Sequence, residues 1–309
     1  AAIGAGDAHE DSVHVGPGAA AALIDEAAGR ETVEPVRRAD GVRLVGGSAS
    51  ITSAGGNVRV GFPLTQNASM SLRYTLRQDE VSVSDGLCTS GSVSQILCLQ
   101  RGAYMTSLIG YGLRIDKRND PIQPTRGWFA DLNQDLAGFG GDVNYLKTEA
   151  DAGWYWGFNK DFIFSATGSA GYIEGWGGDN VRINDRFYKG GTNFRGFETA
   201  GIGPRDISTS SNSMGAKLYA IGSFELTVPT LLPEQYGIKA ALFSDFGTAG
   251  LLDDVDRQSS TGVFDKNIRD NLGLRASAGV SLATISRMAV LLRLPDLKLA
   301  NCLAMYCAC

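Results

Sequence analysis

Carboxylates stand in close pairs along the middle of the chain: Asp131 with Asp135, and Glu149 with Asp151. Paired carboxylates are the usual equipment of general acid–base chemistry. A second concentration of charge is the stretch Arg186–Asp206, RFYKGGTNFRGFETAGIGPRD, which sets Arg186, Lys189, Arg195 and Arg205 against Glu198 and Asp206. Phe187, Tyr188, Phe194 and Phe197 interleave with these charges, and five glycines (Gly190, Gly191, Gly196, Gly201, Gly203) permit turns that other residues resist. A glycine cradle with cations is one way to hold a phosphate, but no helix opens behind this one and no Gly-Lys-Ser/Thr follows. The chain has no Gly-x-Ser-x-Gly and no His-Glu-x-x-His, and its two histidines, His9 and His14, lie in an unpatterned region. The sequence therefore assigns no catalytic residue and no cofactor, and the expectation is a protein that is not an enzyme.

The cysteines fall into two groups. Cys88 and Cys98 lie in one polar segment and read as a loop disulfide made in an oxidising compartment, against the alternative of two unpaired thiols. Cys302, Cys307 and Cys309 lack a fourth ligand nearby and do not read as a zinc site. A net charge of −5 and a pI near 5.2 give no footing for nucleic acid.

The elements that must position these residues are strands. Met70, Leu72, Tyr74 and Leu76 alternate with Ser71, Arg73, Thr75 and Arg77; Ile109–Ile115 and Trp128–Asp135 do the same. So do Asn57–Phe62, Asn144–Trp156, Phe162–Tyr172, Met214–Leu226, Ile238–Asp245 and Leu272–Ser281. Period-two alternation gives a strand one greasy and one wet face. It places the acidic pairs as same-face neighbours on a wet wall, a bland alternative to catalysis. Short turns (63–68, 116–126, 157–161, 229–236) alternate with long connections (79–103, 177–212, 250–270). Tyr74, Trp128, Trp154, Trp156, Tyr172 and Trp176 gather at strand ends. Long strands, alternating loop lengths and terminal aromatics are the marks of an outer-membrane barrel; a soluble β-sandwich is the alternative. No run of eighteen apolar residues is present, which leaves a barrel open.

The stretch around Phe194-Arg195-Gly196-Phe197 resembles the sixth extracellular loop of the BamA-type outer-membrane assembly barrels, with Phe194 where that family has a β-branched residue. The lead-in Phe-Tyr-Lys-Gly-Gly and the exit Gly-Ile-Gly-Pro-Arg-Asp also match, and Asp116–Gly127 is similar to a second family signature on the periplasmic side. The resemblance implies that the loop folds back into the barrel. It implies that Arg195 meets Glu225 of the next strand and Phe243 and Asp245 of the one after, by charge-assisted hydrogen bonds and a cation–π contact. Strand parity independently puts Glu225, Phe243 and Asp245 on the luminal face.

The implied fold is all-β: an antiparallel transmembrane β-barrel, incomplete, the C-terminal part of a sixteen-strand barrel with about nine family-like strands present. The expected organisation is an unpatterned leader over 1–47, a partial barrel over 48–283 and a tail of unfamiliar sequence over 284–309. A short helix near Ala19–Ala28 and helical spacing from Ile285 lie in the two outer segments. No signal peptide and no POTRA domains are visible, and the expectation is that both ends depart from the family's own sequence through a reading-frame change or a truncated gene. The implied function is insertion of β-barrel proteins into the outer membrane of a Gram-negative bacterium. The implied partners are the bilayer, unfolded barrel precursors and periplasmic assembly lipoproteins. The alternatives are a polypeptide translocation pore of the same superfamily, a passive porin or surface antigen, and a non-functional truncated remnant, since open sheet edges are costly in lipid.

Overall fold

The computed structural model describes residues 30–44, 47–90, 95–159, 162–207, 212–229, 238–257 and 267–284. Ten strands form one antiparallel sheet. They are β1 (Arg30–Leu44), β2 (Gly47–Thr65), β3 (Ala68–Val83), β4 (Gly102–Asp116), β5 (Arg126–Ala137), β6 (Tyr145–Gly157) and β7 (Ile163–Gly175), followed by β10 (Leu218–Val228), β11 (Ile238–Gly250) and β13 (Arg275–Thr284). They lie in chain order from β1 to β13, and among the described residues these two strands are the sheet's edges. Three two-residue strands, β8 (Arg205–Asp206), β9 (Asn212–Ser213) and β12 (Ile268–Arg269), pair in the order β12-β8-β9 within the long connections.

Alternation explains the wall. Leu72, Tyr74 and Leu76 on β3, Leu132 and Leu136 on β5, Trp154 and Trp156 on β6, and Phe224 on β10 are all exposed on the outer face. Such a largely apolar outer face suits hydrocarbon. A thirteen-residue strand such as β6 rises roughly 40 Å at ~3.3 Å per residue, enough to cross the hydrocarbon layer with the usual barrel tilt. An aromatic belt runs around the outside near the short turns. Trp154 and Phe164 meet at 6.3 Å, Phe164 and Phe224 at 6.0 Å, and Phe224 and Phe246 at 5.2 Å.

The inner face carries the polar set and the long connections. The loop between β7 and β10 folds onto it. Val181, Phe187, Phe194 and Ile202 of that loop pack with Leu108, Tyr145, Ile173 and Tyr219 of the wall in one buried cluster. The core is thus a loop filling the concavity of a sheet.

Three details depart from the sequence reading. The sheet begins at Arg30, inside the segment expected to be an unpatterned leader, because the backbone of 30–44 pairs with β2 over its whole length. The sheet accordingly has ten strands where about nine were expected. The connection expected from Asp79 is strand up to Val83, followed by two short helices, α1 (Asp85–Ser90) and α2 (Gln95–Leu99). Val81 and Val83 are buried against Leu87 there, with Cys88, Leu97 and Cys98 packed alongside, so the strand continues where alternation is masked by polar neighbours. The helical readings at Ala19–Ala28 and beyond Ile285 lie outside the described residues.

Candidate functional site: the loop seated in the sheet

The loop is built from isolated backbone bridges. Phe187 and Ala216 exchange hydrogen bonds at 2.9 and 2.8 Å, and Lys189 pairs with Ile202. Glycine is required where the chain reverses. Gly190 has φ +132, and a Cβ there would lie 2.1 Å from the Glu198 carbonyl oxygen. Gly196 has φ +92, which turns the backbone just after Arg195.

Arg195 is held from several directions. Its backbone N–H donates to Asp245 Oδ2 at 3.0 Å, and its Nε donates to the same oxygen at 2.8 Å. Nη2 donates to Asp245 Oδ1 at 2.7 Å and to Ser223 Oγ at 2.8 Å, and Nη1 donates to Glu225 Oε2 at 2.6 Å. The guanidinium lies 3.8 Å from the centroid of the Phe243 ring. Ser223 Oγ donates to Asp245 Oδ1 at 2.6 Å, and Ser277 Oγ donates to the Arg195 carbonyl. Burial works against the arginine's charge, but its bonds to Asp245 and Glu225 outweigh that and raise its pKa, so the guanidinium stays charged.

Register makes this possible. Ser223 stands opposite Asp245 and Glu225 opposite Phe243 across β10 and β11, and Asp245 stands opposite Ser277 across β11 and β13. Two adjacent rows of three strands thus present two acids, an aromatic ring and two hydroxyls to one arginine. The structure brings Arg195 together with Glu225, Phe243 and Asp245, while Phe194 packs in the buried cluster of the loop. Phe194 is wholly buried and meets Phe197 edge-on at 4.9 Å.

Sequence reasoning missed Ser223 and Ser277. Both lie on the luminal parity of their strands, and serines there gave no reason to single them out. It also missed a second set of contacts nearer the loop's start. Arg186, fully buried, pairs with Asp256 and donates to the Val181 carbonyl at 2.7 Å from Nη2 and to the Met214 carbonyl at 3.3 Å from Nη1. Asp253 accepts Lys217 Nζ at 2.5 Å and the Val181 N–H at 3.1 Å, so the β11–β13 connection is bound to the loop. Burial pushes the carboxyl of Asp256 up despite Arg186, and that of Asp185 up despite Arg77.

Cys88 and Cys98 form a disulfide joining α1 to α2, with Cα atoms 5.9 Å apart. From α2, buried Ile96 packs with Ile183, Met214 and Leu252, so the stapled helices sit over the loop's start. Asp135 is bonded to Arg73 at 2.7 Å, and Asp131 stands opposite Asp151 on the wall.

The family model described as the Omp85 superfamily domain matches residues 44–293. The chain is 30% identical over 246 residues to "Outer membrane protein assembly factor BamA" of Neorickettsia risticii (strain Illinois), covering 79% of this chain and 31% of that protein. It is 34% identical over 151 residues to "Sorting and assembly machinery component 50 homolog" of Homo sapiens, covering 46% of this chain and 30% of that one. The crystal structure of BamA from Haemophilus ducreyi lacking POTRA domains 1–3 is similar in fold, with a TM-score of 0.65 at 19% identity over 84% of this chain and 56% of that chain. The chain thus spans about a third of the length of these curated relatives.

Proposed function

Because the chain belongs to the Omp85 superfamily, we propose that it acts in the folding and insertion of β-barrel proteins into an outer membrane. The observation that carries the reading is the Arg195 cluster: one loop arginine ties three neighbouring strands, β10, β11 and β13, at the described edge of the sheet. The work is mechanical and needs no nucleotide. A precursor strand adds to an exposed sheet edge through its backbone, as in β-augmentation. The loop fixes the curvature of the wall while that edge is unpaired, and the wall's apolar outer face holds the chain in the bilayer. The partners are the lipid bilayer, unfolded barrel precursors and periplasmic assembly lipoproteins, and the location is the outer membrane of a Gram-negative bacterium. The names of the relatives, an assembly factor and an assembly-machinery component, support a non-enzymatic role.

The test reconstitutes the chain in liposomes and offers a urea-unfolded β-barrel precursor. Folding of the precursor is followed by its heat-modifiable gel mobility. Faster folding than in empty liposomes, lost in Arg195→Ala, is the expected result. No acceleration by a chain that itself migrates as a compact, heat-sensitive band rejects the reading. Steady ion conductance from that same band points instead to a passive pore.

A further inference from the structure

The tip of the loop is bound to the β13 side of the sheet; its start, besides its bonds to the β11–β13 connection through Val181 and Arg186, is also bound to the opposite side. Asp185 ends the short 3-10 turn Ile183–Asp185 and is buried. Its Oδ1 accepts Arg77 Nη2 at 2.8 Å, and Arg77 belongs to β3, four places from β7 in the sheet order. Arg77 is itself aimed by a second acid, since its Nε donates to Asp79 Oδ2 at 2.8 Å, and Asp79 Oδ1 takes the hydroxyl of Ser53 on β2 at 2.5 Å. The backbone carbonyl of Asp185 accepts Lys147 Nζ of β6 at 3.3 Å, and Lys147 also lies over Phe187 at 4.5 Å. Beside the turn, the Ile183 N–H donates to Gln100 Oε1 at 2.9 Å.

Two carboxylates sharing one guanidinium in a largely dry place is an expensive arrangement unless the geometry is held. A luminal charge with no structural task would be met more cheaply by water. Here the charges connect a turn of the loop to the wall strand furthest from the loop's tip that the loop engages through an ion pair.

We propose that Asp185 is a positioning residue: paired with Arg77 it seats the start of the loop on β3, so that the loop is a strut between the β3 and β13 sides of the sheet and sets their separation. The consequence for assembly rests on the function proposed above, because the spread of the wall decides how far its edges stand apart. The strut itself is measurable without any client protein.

The test uses the full chain in liposomes with Cys302, Cys307 and Cys309 replaced by serine and nitroxide labels at exposed outer positions Leu72 on β3 and Val280 on β13. Pulsed electron paramagnetic resonance gives the distance distribution between them. The expected result is a single narrow distribution in the parent, a broader and shifted one in Asp185→Asn and in Arg77→Gln, and no further broadening in the double variant, the mark of a shared interaction. A parent-like distribution in Asp185→Asn overturns the strut. Where Asp185→Asn gives no compact band, Asp185→Glu decides: parent-like spacing supports a charge-dependent seat, and a spread as broad as that of Arg77→Gln rejects it. Loss of spacing control in liposomes that never accelerate precursor folding keeps the strut and removes the assembly reading.

Discussion

Arg195 and Arg186 belong to one loop and both reach aspartates, yet they are held in different surroundings. The side chain of Arg195 is 25% exposed and those of its partners Glu225 and Asp245 34% and 5%; those of Arg186 and Asp256 are 0% and 5% exposed. Their bonding differs as well. The side-chain donors of Arg195 go to side chains on wall strands, Ser223, Glu225 and Asp245. Arg186 spends most of its donors on backbone carbonyls, of Val181 and Met214. The tip arginine therefore joins the loop to the wall, while the root arginine organises the loop and its neighbouring connection from within. A seat open to water on one side, as at Glu225, is released and remade at lower cost than one that is dry throughout.

The sharpest way to break this comparison is Arg186→Ala. It removes a buried ion pair and strands two carbonyls, so a loss of ~3–5 kcal/mol is expected, read as a lower urea midpoint for the compact band. The pH dependence carries a sign. Burial already raises the pKa of Asp256 against the pull of Arg186. Removing the arginine raises it further, and a carboxyl whose folded pKa is raised contributes most below its unfolded pKa and loses that contribution as pH rises through the folded one. The deficit of Arg186→Ala is therefore smaller near pH 4 than near pH 7. An equal deficit at both values refutes a dry root.

The tip was legible in the sequence and the root was not, for a physical reason. Arg195 announced itself through a local signature, and parity put Glu225, Phe243 and Asp245 on the same wall. Strand parity is a rigid two-residue rule, and it survives without knowledge of the fold. Arg186 and Asp256 stand on two irregular connections, where no periodicity says which way a side chain points. Asp185, just beyond β7, finds Arg77 on β3 across three intervening strands, a distance that only the curvature of the finished sheet closes. The same limit hid β1, whose pairing with β2 is written in backbone register and not in alternation.

Reduction of the Cys88–Cys98 bond discriminates between the two seats. The stapled helices pack on the root through Ile96 and Ile183, and make no part of the Arg195 cluster. Opening a short disulfide loop costs about 2–3 kcal/mol. Hydrogen exchange is expected to quicken at Ile183 and Met214 while the Arg195 amide, bonded to Asp245, keeps its protection. Equal quickening at both places means that root and tip open as one unit.

Arg195→Lys tests what the tip requires of its cation. Lysine keeps the charge and some contact with Phe243, but it cannot present a planar fork to Asp245 while reaching Glu225 and Ser223. A loss of roughly 2 kcal/mol is expected, below that of Arg186→Ala. A lysine variant with the parent's urea midpoint shows that the tip needs only charge, and the bidentate geometry is then incidental.

The smallest effect expected is the most telling for the edge. Ser277 is the hydroxyl by which β13 holds the loop, through the Arg195 carbonyl, and it faces Asp245 across the strand pair. Ser277→Ala removes one hydrogen bond and creates no charge, so the global loss is ~0.5–1.5 kcal/mol. Its local consequence is larger in kind, because β13 is an edge of the described sheet and has a strand partner on one side only. With the loop's hold removed, the β11–β13 ladder rests on its own backbone bonds, and amides such as Ala278 and Val280 are expected to exchange faster than those of β10, which keeps neighbours on both sides. If exchange rises equally on β10 and β13, the serine stabilises the wall as a whole and the tip does not govern the edge. If it rises on β13 alone, the tip seat of the loop sets how readily the last described strand leaves its neighbour.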